Sequence, residues 1–291
     1  MYNPEIILAA ILTLIPFLAA AFFPQRVLAL TQRIPIPLRL LAPALLCIPY
    51  ILVTYSYGDL TLRWLILYAL LPVTIATLLH NARLDDPEQR GTWRDLFILA
   101  TLGLAVDLRW FEPAWPPHLA IFNKILLLNA GIYGFLFIRQ LDHVGFDLRL
   151  RRTDLTTGLR ELIFYIPIAI PLGLALGFLH FRAVWPNPLR VAVAFIFTFL
   201  FIAIPEELFF RGWMQNLLER RIGRIPALFL TAILFGLSHF NKRAVHFNWR
   251  YVLLAAIAGI FYGRAWRQDR RIGSSAITHS WVDTLWSLFL R

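Results

Sequence analysis

The feature that most limits this chain is its succession of long apolar runs. Segments 6–23, 40–57, 62–80, 95–111, 119–138, 159–181, 190–210, 225–240, 250–266 and 276–290 each approach or exceed the length of a helix that crosses a bilayer. The run 95–111 is the weakest, because Asp107 and Arg109 interrupt its end, and 225–240 is short. The sequence predicts an all-α, polytopic transmembrane helix bundle of about eight to ten spans. Only 15% of the residues are charged and mean hydropathy is +0.64, whereas a soluble domain carries about 25% charged residues.

In a soluble chain a formal charge of +11 would suggest nucleic acid. Here the arginines sit in short loops between apolar runs, so the charge reads as topology and no nucleic-acid partner is expected. With the amino terminus outside, the cytoplasmic loops hold Arg26–Arg39, Arg83–Arg94, Arg139–Arg160, Arg220–Arg224 and Arg264–Arg271. The opposite side holds the smaller set Arg63, Arg109, Arg182, Arg190, Lys242, Arg243, Arg250 and Arg291. Ala19-Ala20-Ala21 imitates a cleavage site, but no basic residue precedes the first run, which reads as a retained span. A multi-pass protein of the plasma (cytoplasmic) membrane is expected. The one cysteine, Cys47, allows neither an intramolecular disulfide nor a Cys-rich metal cluster.

The longest polar connection, about 139–160, contains Val144-Gly145-Phe146-Asp147-Leu148 and reads as an ordered loop. It divides amino-terminal helices at 1–140, which carry no assignable role, from a carboxy-terminal region at 141–291.

That second region holds a polar constellation. Glu206, Glu207 and Arg211 end the apolar run 191–204, and ionisable groups at such depth are costly enough to mark function. Glu207 and Arg211, at i and i+4, share a helix face and suit an ion pair. Glu206 is turned about 100° away. One carboxylate is then neutralised by Arg211 while its neighbour points elsewhere. Phe235 and His239 lie one turn apart in the next run, and His279 and Asp283 do so in the last. Each site alone has a plain structural reading: a hydrogen-bonded core histidine, a helix lock, a tautomer-fixing pair. Three in consecutive spans favour a common polar pocket.

Such a pocket is equipped to hydrolyse an amide. A desolvated carboxylate acts as a base, an imidazole polarises a water, and a second imidazole donates to the oxyanion of a tetrahedral intermediate. No G-x-S-x-G or H-E-x-x-H motif is present, so serine and zincin chemistry lack their signatures. Because Glu206 ends its run just before the loop at Arg220–Arg224, the pocket is expected to open to the cytoplasm.

The motifs Glu206-Glu207-x-x-x-Arg211, Phe235-x-x-x-His239 and His279-x-x-x-Asp283 resemble the CPBP family of intramembrane proteases. That family includes CAAX prenyl endopeptidases of the Rce1 type and bacterial Abi-type relatives. The flanks Phe209-Phe210-Arg211-Gly212, Leu234–His239 and Gly259-x-x-Tyr262-Gly263 agree; Gly145-Phe146-Asp147-Leu148 agrees weakly. The resemblance covers about the last hundred residues. It implies Glu206 as general base with His239, Glu207 with Arg211 as a structural pair, Phe235 as a supporting ring, and His279 with residue 283 as oxyanion stabilisers.

At 283 the family more often has Asn, and an ionised Asp cannot donate to an oxyanion; the reading adopted is that Asp283 orients His279. The expected partners are the lipid bilayer and a membrane-anchored protein or peptide substrate. Water activation without a cofactor is preferred, with Zn2+ on Glu206, His239 and His279 as the alternative. A non-proteolytic immunity or assembly factor and an ion-coupled transporter remain competing readings.

Overall fold

The computed structural model describes residues 3–182, 185–242 and 246–290; Arg243 and Arg291 of the loop-charge reading lie outside them. Among the described residues all regular structure is helical. The chain divides into two compact units, Met1–Asp142 and His143–Arg291.

The first unit contains α1 (Pro4–Phe22), α2 (Pro24–Arg33), α3 (Ile36–Leu41), α4 (Ile48–Tyr57), α5 (Leu62–Asp85), α6 (Trp93–Asp107) and α7 (Ile121–Ile132). Proline sets several starts, since its fixed φ and missing N–H cost nothing in a first turn. Thr92 and Asp95 close a capping box ahead of α6. Inside, Tyr68 stacks on Tyr50 at 4.9 Å, accepts from Trp115 Nε1 at 2.6 Å and donates to Asn123 at 2.9 Å. Buried Arg139 is neutralised by Asp95 at 2.9 Å and Asp86 at 2.6 Å.

The second unit opens with α8 (Arg152–Ala175). A helical run follows from Pro188 to Ile222, made of α9 (Pro188–Thr198), α10 (Ile204–Glu207) and α11 (Asn216–Ile222) joined through π-helical turns. Then come α12 (Arg224–Leu237), α13 (Trp249–Asp269) and α14 (Ile272–Phe289).

Among the described residues, six helical stretches are long and apolar enough to cross a membrane: Pro4–Phe22, Ile36–Tyr57, Leu62–Asp85, Ile121–Ile138, Arg152–Ala175 and Pro188–Ile222. The expected run at 95–111 forms the 15-residue α6. The run at 225–240 forms the 14-residue α12, about 21 Å long and short of a hydrocarbon core of about 30 Å. Helices α13 and α14 have the length but carry too many polar groups to qualify by composition. The expected polar connection is also shorter than read, because Arg152–Arg160 is already helix. Asp154 accepts from the Arg151 N–H at 2.8 Å and starts α8 there.

Two ends of the second unit are tied differently. At one, Arg271 forks onto Asp154 (2.8 and 3.0 Å) and donates to the Arg149 carbonyl at 2.9 Å, while Glu219 of α11 takes Arg267 and Arg270 at 2.9 and 2.6 Å. Gly145 lies in the left-handed region (φ +75°), and a Cβ there would meet the Arg270 carbonyl oxygen at 1.8 Å. Its own carbonyl accepts from Ile272 at 3.0 Å. At the other end, His180 and Arg182 donate backbone N–H groups to Leu290 and Phe289. Near the end of α12, a Cβ on Gly236 would lie 2.4 Å from the Val252 carbonyl oxygen, so glycine is what lets α12 and α13 approach there.

Two outcomes follow from the polar end. Gly145→Ala forces both a left-handed backbone and an overlap, and lowers unfolding stability in detergent by about 2 kcal/mol or more. Burial raises the Asp147 carboxyl, but hydrogen bonds from Arg149 and the charges of Arg149 and Arg271 outweigh it and hold it below the usual carboxylate range. A depressed carboxyl contributes stability above its unfolded pKa of about 4 and loses it as pH falls through the folded value. Thermal unfolding followed down from pH 5 should therefore show an acid-side fall that Asp147→Asn reduces; an unchanged acid limb would mean that this network contributes nothing.

Candidate active site

Pro205 has no N–H to return to the preceding turn, and the helical ladder widens on both sides of it. The π-helical turns Phe199–Ala203 and Leu208–Gln215 flank Ile204–Glu207, the two-carboxylate stretch. Wide turns of this kind recur at functional sites because they re-aim side chains.

The two glutamates separate as the 100° rotation requires. Glu207 is completely buried, whereas the Glu206 side chain keeps 29% of its exposure. Glu207 Oε2 accepts from Arg211 Nε at 3.0 Å and also from Ser275 Oγ; its Oε1 accepts from His279 Nδ1 at 2.8 Å. Arg211, equally buried, turns the rest of its guanidinium to aromatic faces, 5.1 Å from the centre of Phe235 and 5.8 Å from that of Tyr262. The structural pair read from sequence is therefore a four-residue hub, and its carboxylate is what fixes His279.

Asp283 stands beside His279 on the same face of α14, as the spacing requires. Its Oδ2 lies 3.6 Å from His279 Nε2, too long for a hydrogen bond, on the side of the ring away from the Glu207 contact. Glu206 Oε2 approaches the same nitrogen at 3.9 Å; it is buried and accepts no hydrogen bond from the protein. His279 Nε2 thus faces two carboxylates across gaps the width of a loose contact.

His239 stands just beyond the end of α12, inside the unit because that helix is short. Its Nδ1–H donates to the Phe235 carbonyl at 2.9 Å, so in the neutral ring Nε2 is the acceptor. Phe235 packs between the imidazoles, 5.0 Å from His239 and 5.6 Å from His279, centre to centre. Glu206 and His239 make no direct hydrogen bond or ion pair with each other. His239, His279 and Asp283 share the wall of one cavity, about 680 Å³ of space in part open to solvent, which also touches Phe178, Leu179 and Leu290.

The cavity therefore runs from the imidazoles toward the end of the unit opposite Arg267, Arg270 and Arg271. The premise that Glu206 lies just before a loop does not hold: helix continues to Ile222, about 24 Å further on. The connection that does reach Glu206 follows α12, with Lys242 Nζ 4.0 Å from its Oε1.

Residues 188–285 match the family model described as type II CAAX prenyl endopeptidase Rce1-like. The match places this segment in the CPBP/CAAX protease family. All three motifs fall within the Rce1-like segment, and the first unit lies outside it. No curated protein and no solved structure matches the chain. Apolar helices of spanning length together with an Rce1-like segment point to an integral membrane protein.

Sequence reasoning passed over Ser275, Tyr262 and Lys242. Ser275 was within reach, one turn before His279 on the same face of α14. Tyr262 stacks on His279 with centres 4.5 Å apart and 13° between planes; it stood in the Gly259-x-x-Tyr262-Gly263 flank without a role. Lys242 was assigned to an outer loop, and no local pattern reveals that this loop folds back.

For the zinc alternative on Glu206, His239 and His279, the Nδ1 contacts of His239 and His279 leave each Nε2 available, as in ligating imidazoles. Among the described residues, no group of three His, Cys, Asp or Glu side chains is arranged to hold a metal ion as the side chains stand.

The two glutamates should respond oppositely to one substitution. Glu207→Gln leaves Arg211 buried without its counter-charge and costs about 3–5 kcal/mol in unfolding stability. Glu206→Gln, touching only long contacts, stays within about 1 kcal/mol of the parent. Thermal unfolding in one detergent, parent and both variants side by side, reads this directly; equal losses would refute the division.

Proposed function

We propose that the chain is an intramembrane endopeptidase that hydrolyses a peptide bond of a membrane-anchored protein or peptide. The observation that carries this reading is the meeting of polar groups from separate helices around His279, within the Rce1-like segment: Glu207 at 2.8 Å, Asp283 at 3.6 Å and Glu206 at 3.9 Å.

In this mechanism Glu206 is the general base. Its buried Oε2 accepts a hydrogen bond from water, and Nε2 of His239 accepts the second, so the water is held with a lone pair toward the substrate carbonyl. The water oxygen bonds to the carbonyl carbon, its proton passes to Glu206, and the carbonyl π pair moves onto oxygen. Collapse breaks the C–N bond, and the amine leaves with the proton from Glu206. Glu207 does not react; with Arg211 and Ser275 it holds the His279 ring in place.

The cavity wall at Phe178, Leu179 and Leu290 supports entry from the face opposite the arginine-rich ends of α11 and α13. By the positive-inside rule that face is extracytoplasmic, which replaces the cytoplasmic opening expected when Glu206 was read as loop-adjacent. In a Cys47→Ser background, a membrane-impermeant maleimide applied to intact cells should label His180→Cys and spare Ile222→Cys. The reverse pattern would return the opening to the cytoplasm.

The activity itself is tested by comparing protein termini in membranes carrying the parent chain or Glu206→Gln. Parent-specific new termini, lost in Glu206→Gln at equal protein level, are expected. A variant that keeps the biological effect would favour an assembly or immunity role, and lost ion-coupled uptake would favour transport. Metal analysis of active purified protein, with a chelator added, should show activity that persists without bound zinc.

A further inference from the structure

We propose that the hydroxyls of Tyr262 and Tyr165 donate the hydrogen bonds that stabilise the oxyanion, the task that Asp at position 283 cannot perform. This assignment rests on the endopeptidase reading and deepens it.

The need arises from the chemistry around His279. A tetrahedral intermediate requires donors aimed at the developing O⁻. An ionised carboxylate at 283 offers only acceptors. His279 has one N–H engaged with Glu207 at 2.8 Å, and its other nitrogen faces Glu206 and Asp283 at 3.9 and 3.6 Å. With Nδ1–H given to Glu207, Nε2 of the neutral ring is an acceptor, which leaves the oxyanion without a dedicated donor among the motif residues.

The supply lies in the cavity wall. Tyr165 of α8 and Tyr262 of α13 line the same cavity as His239, His279 and Asp283. Tyr262 is 1% exposed and its ring lies flat on the His279 imidazole. Tyr165 is held edge-on against Phe261 at 5.6 Å. A buried phenol ordinarily finds a partner, and others in this protein do. Tyr68 donates to Asn123 at 2.9 Å, Tyr133 to the Arg39 carbonyl at 2.7 Å, and Tyr50 meets Thr61 at 3.5 Å. The hydroxyls of Tyr165 and Tyr262 make no hydrogen bond to any described protein atom, although both rings are packed at the one place where the reaction needs donors.

The test uses the full-length chain reconstituted in liposomes, with the peptide that the parent cleaves in the terminus comparison as substrate. Tyr262→Phe and Tyr165→Phe remove one oxygen each and keep the ring packing, which unfolding temperatures verify. Each should lower kcat about 10-fold and the double variant about 10²-fold or more, as for lost oxyanion donors, with KM changed less than about 3-fold. Asp283→Asn introduces an amide donor, so in the double-Phe background it should restore at least about tenfold of the lost kcat.

If the phenols merely hold Asp283 in place, Asp283→Asn gives no such rescue, and that result overturns the assignment. So does a double-Phe variant with the parent's kcat. Glu206→Gln, run in parallel, separates the two levels: if it cleaves as fast as the parent, the endopeptidase reading itself fails, whereas if it is inactive and the double-Phe variant is not, only the phenol assignment falls.

Discussion

A buried carboxylate with three donors holds this region together. Glu207 is fully enclosed, and an uncompensated charge in such surroundings costs several kcal/mol. Its neutralisation draws on Arg211 one turn along its own run, and on Ser275 and His279 of α14. The Ser275 Oγ, whose one hydrogen is shared with Glu207, also lies 2.9 Å from the Tyr262 carbonyl oxygen, which brings in α13. No single helix can satisfy Glu207, so the helices that supply its donors must converge. The pocket is a consequence of that electrostatic demand, and the side chains that face the cavity are placed by those that do not.

The rest of the second unit serves this convergence in two ways. Close approach at Gly236 lets α12 sit deep against α13, and the shortness of α12 leaves His239 inside the unit. At the opposite end, the Arg271–Asp154 fork and the Glu219 cluster lock the starts of α8 and α14 to the ends of α11 and α13. That end is polar and densely paired, whereas the end beside the cavity is closed by the rings of Phe178, Tyr251 and Trp286. Aromatic packing yields to an apolar guest more readily than a charged network does, which fits the entry of a membrane-borne substrate at the ring-lined end.

Much of this was legible in the chain, and the exceptions share a cause. Helical character, membrane residence and the pairing of Glu207 with Arg211 all follow from local periodicity, which is strong in apolar runs. The contact between Glu207 and His279 spans 72 positions in sequence, and no spacing rule reports it; spacing pointed only to Asp283, the neighbour of His279 on the same face. The end of the helix that carries Glu206 was misplaced for a related reason. The apolar run stops near 210, but helix continues through Gln215 and Glu219 because their polar groups find partners inside the bundle: Gln215 donates to Glu219 at 3.0 Å, and Glu219 also takes Arg267 and Arg270. Polarity marked the end of a hydropathic segment there, not the end of a helix. The split at Asp142 lies within the polar connection, where the chain turns from one core to the other.

The charges left after pairing indicate how the site divides its work. Arg211 offsets Glu207, and the aromatic faces around the guanidinium keep that pair dry. Glu206 and Asp283 have no such partner; both keep about a third of their exposure and face the same imidazole nitrogen. Lys242, 4.0 Å from Glu206, comes from a connection and not from a packed helix. In the proposed mechanism this screens Glu206 without immobilising it, because a close, rigid ion pair would hold a proton-shuttling carboxylate in the charged form. The two adjacent glutamates thus serve opposite ends through the same side chain, one neutralised so that the fold closes and the other left open so that water reaches it.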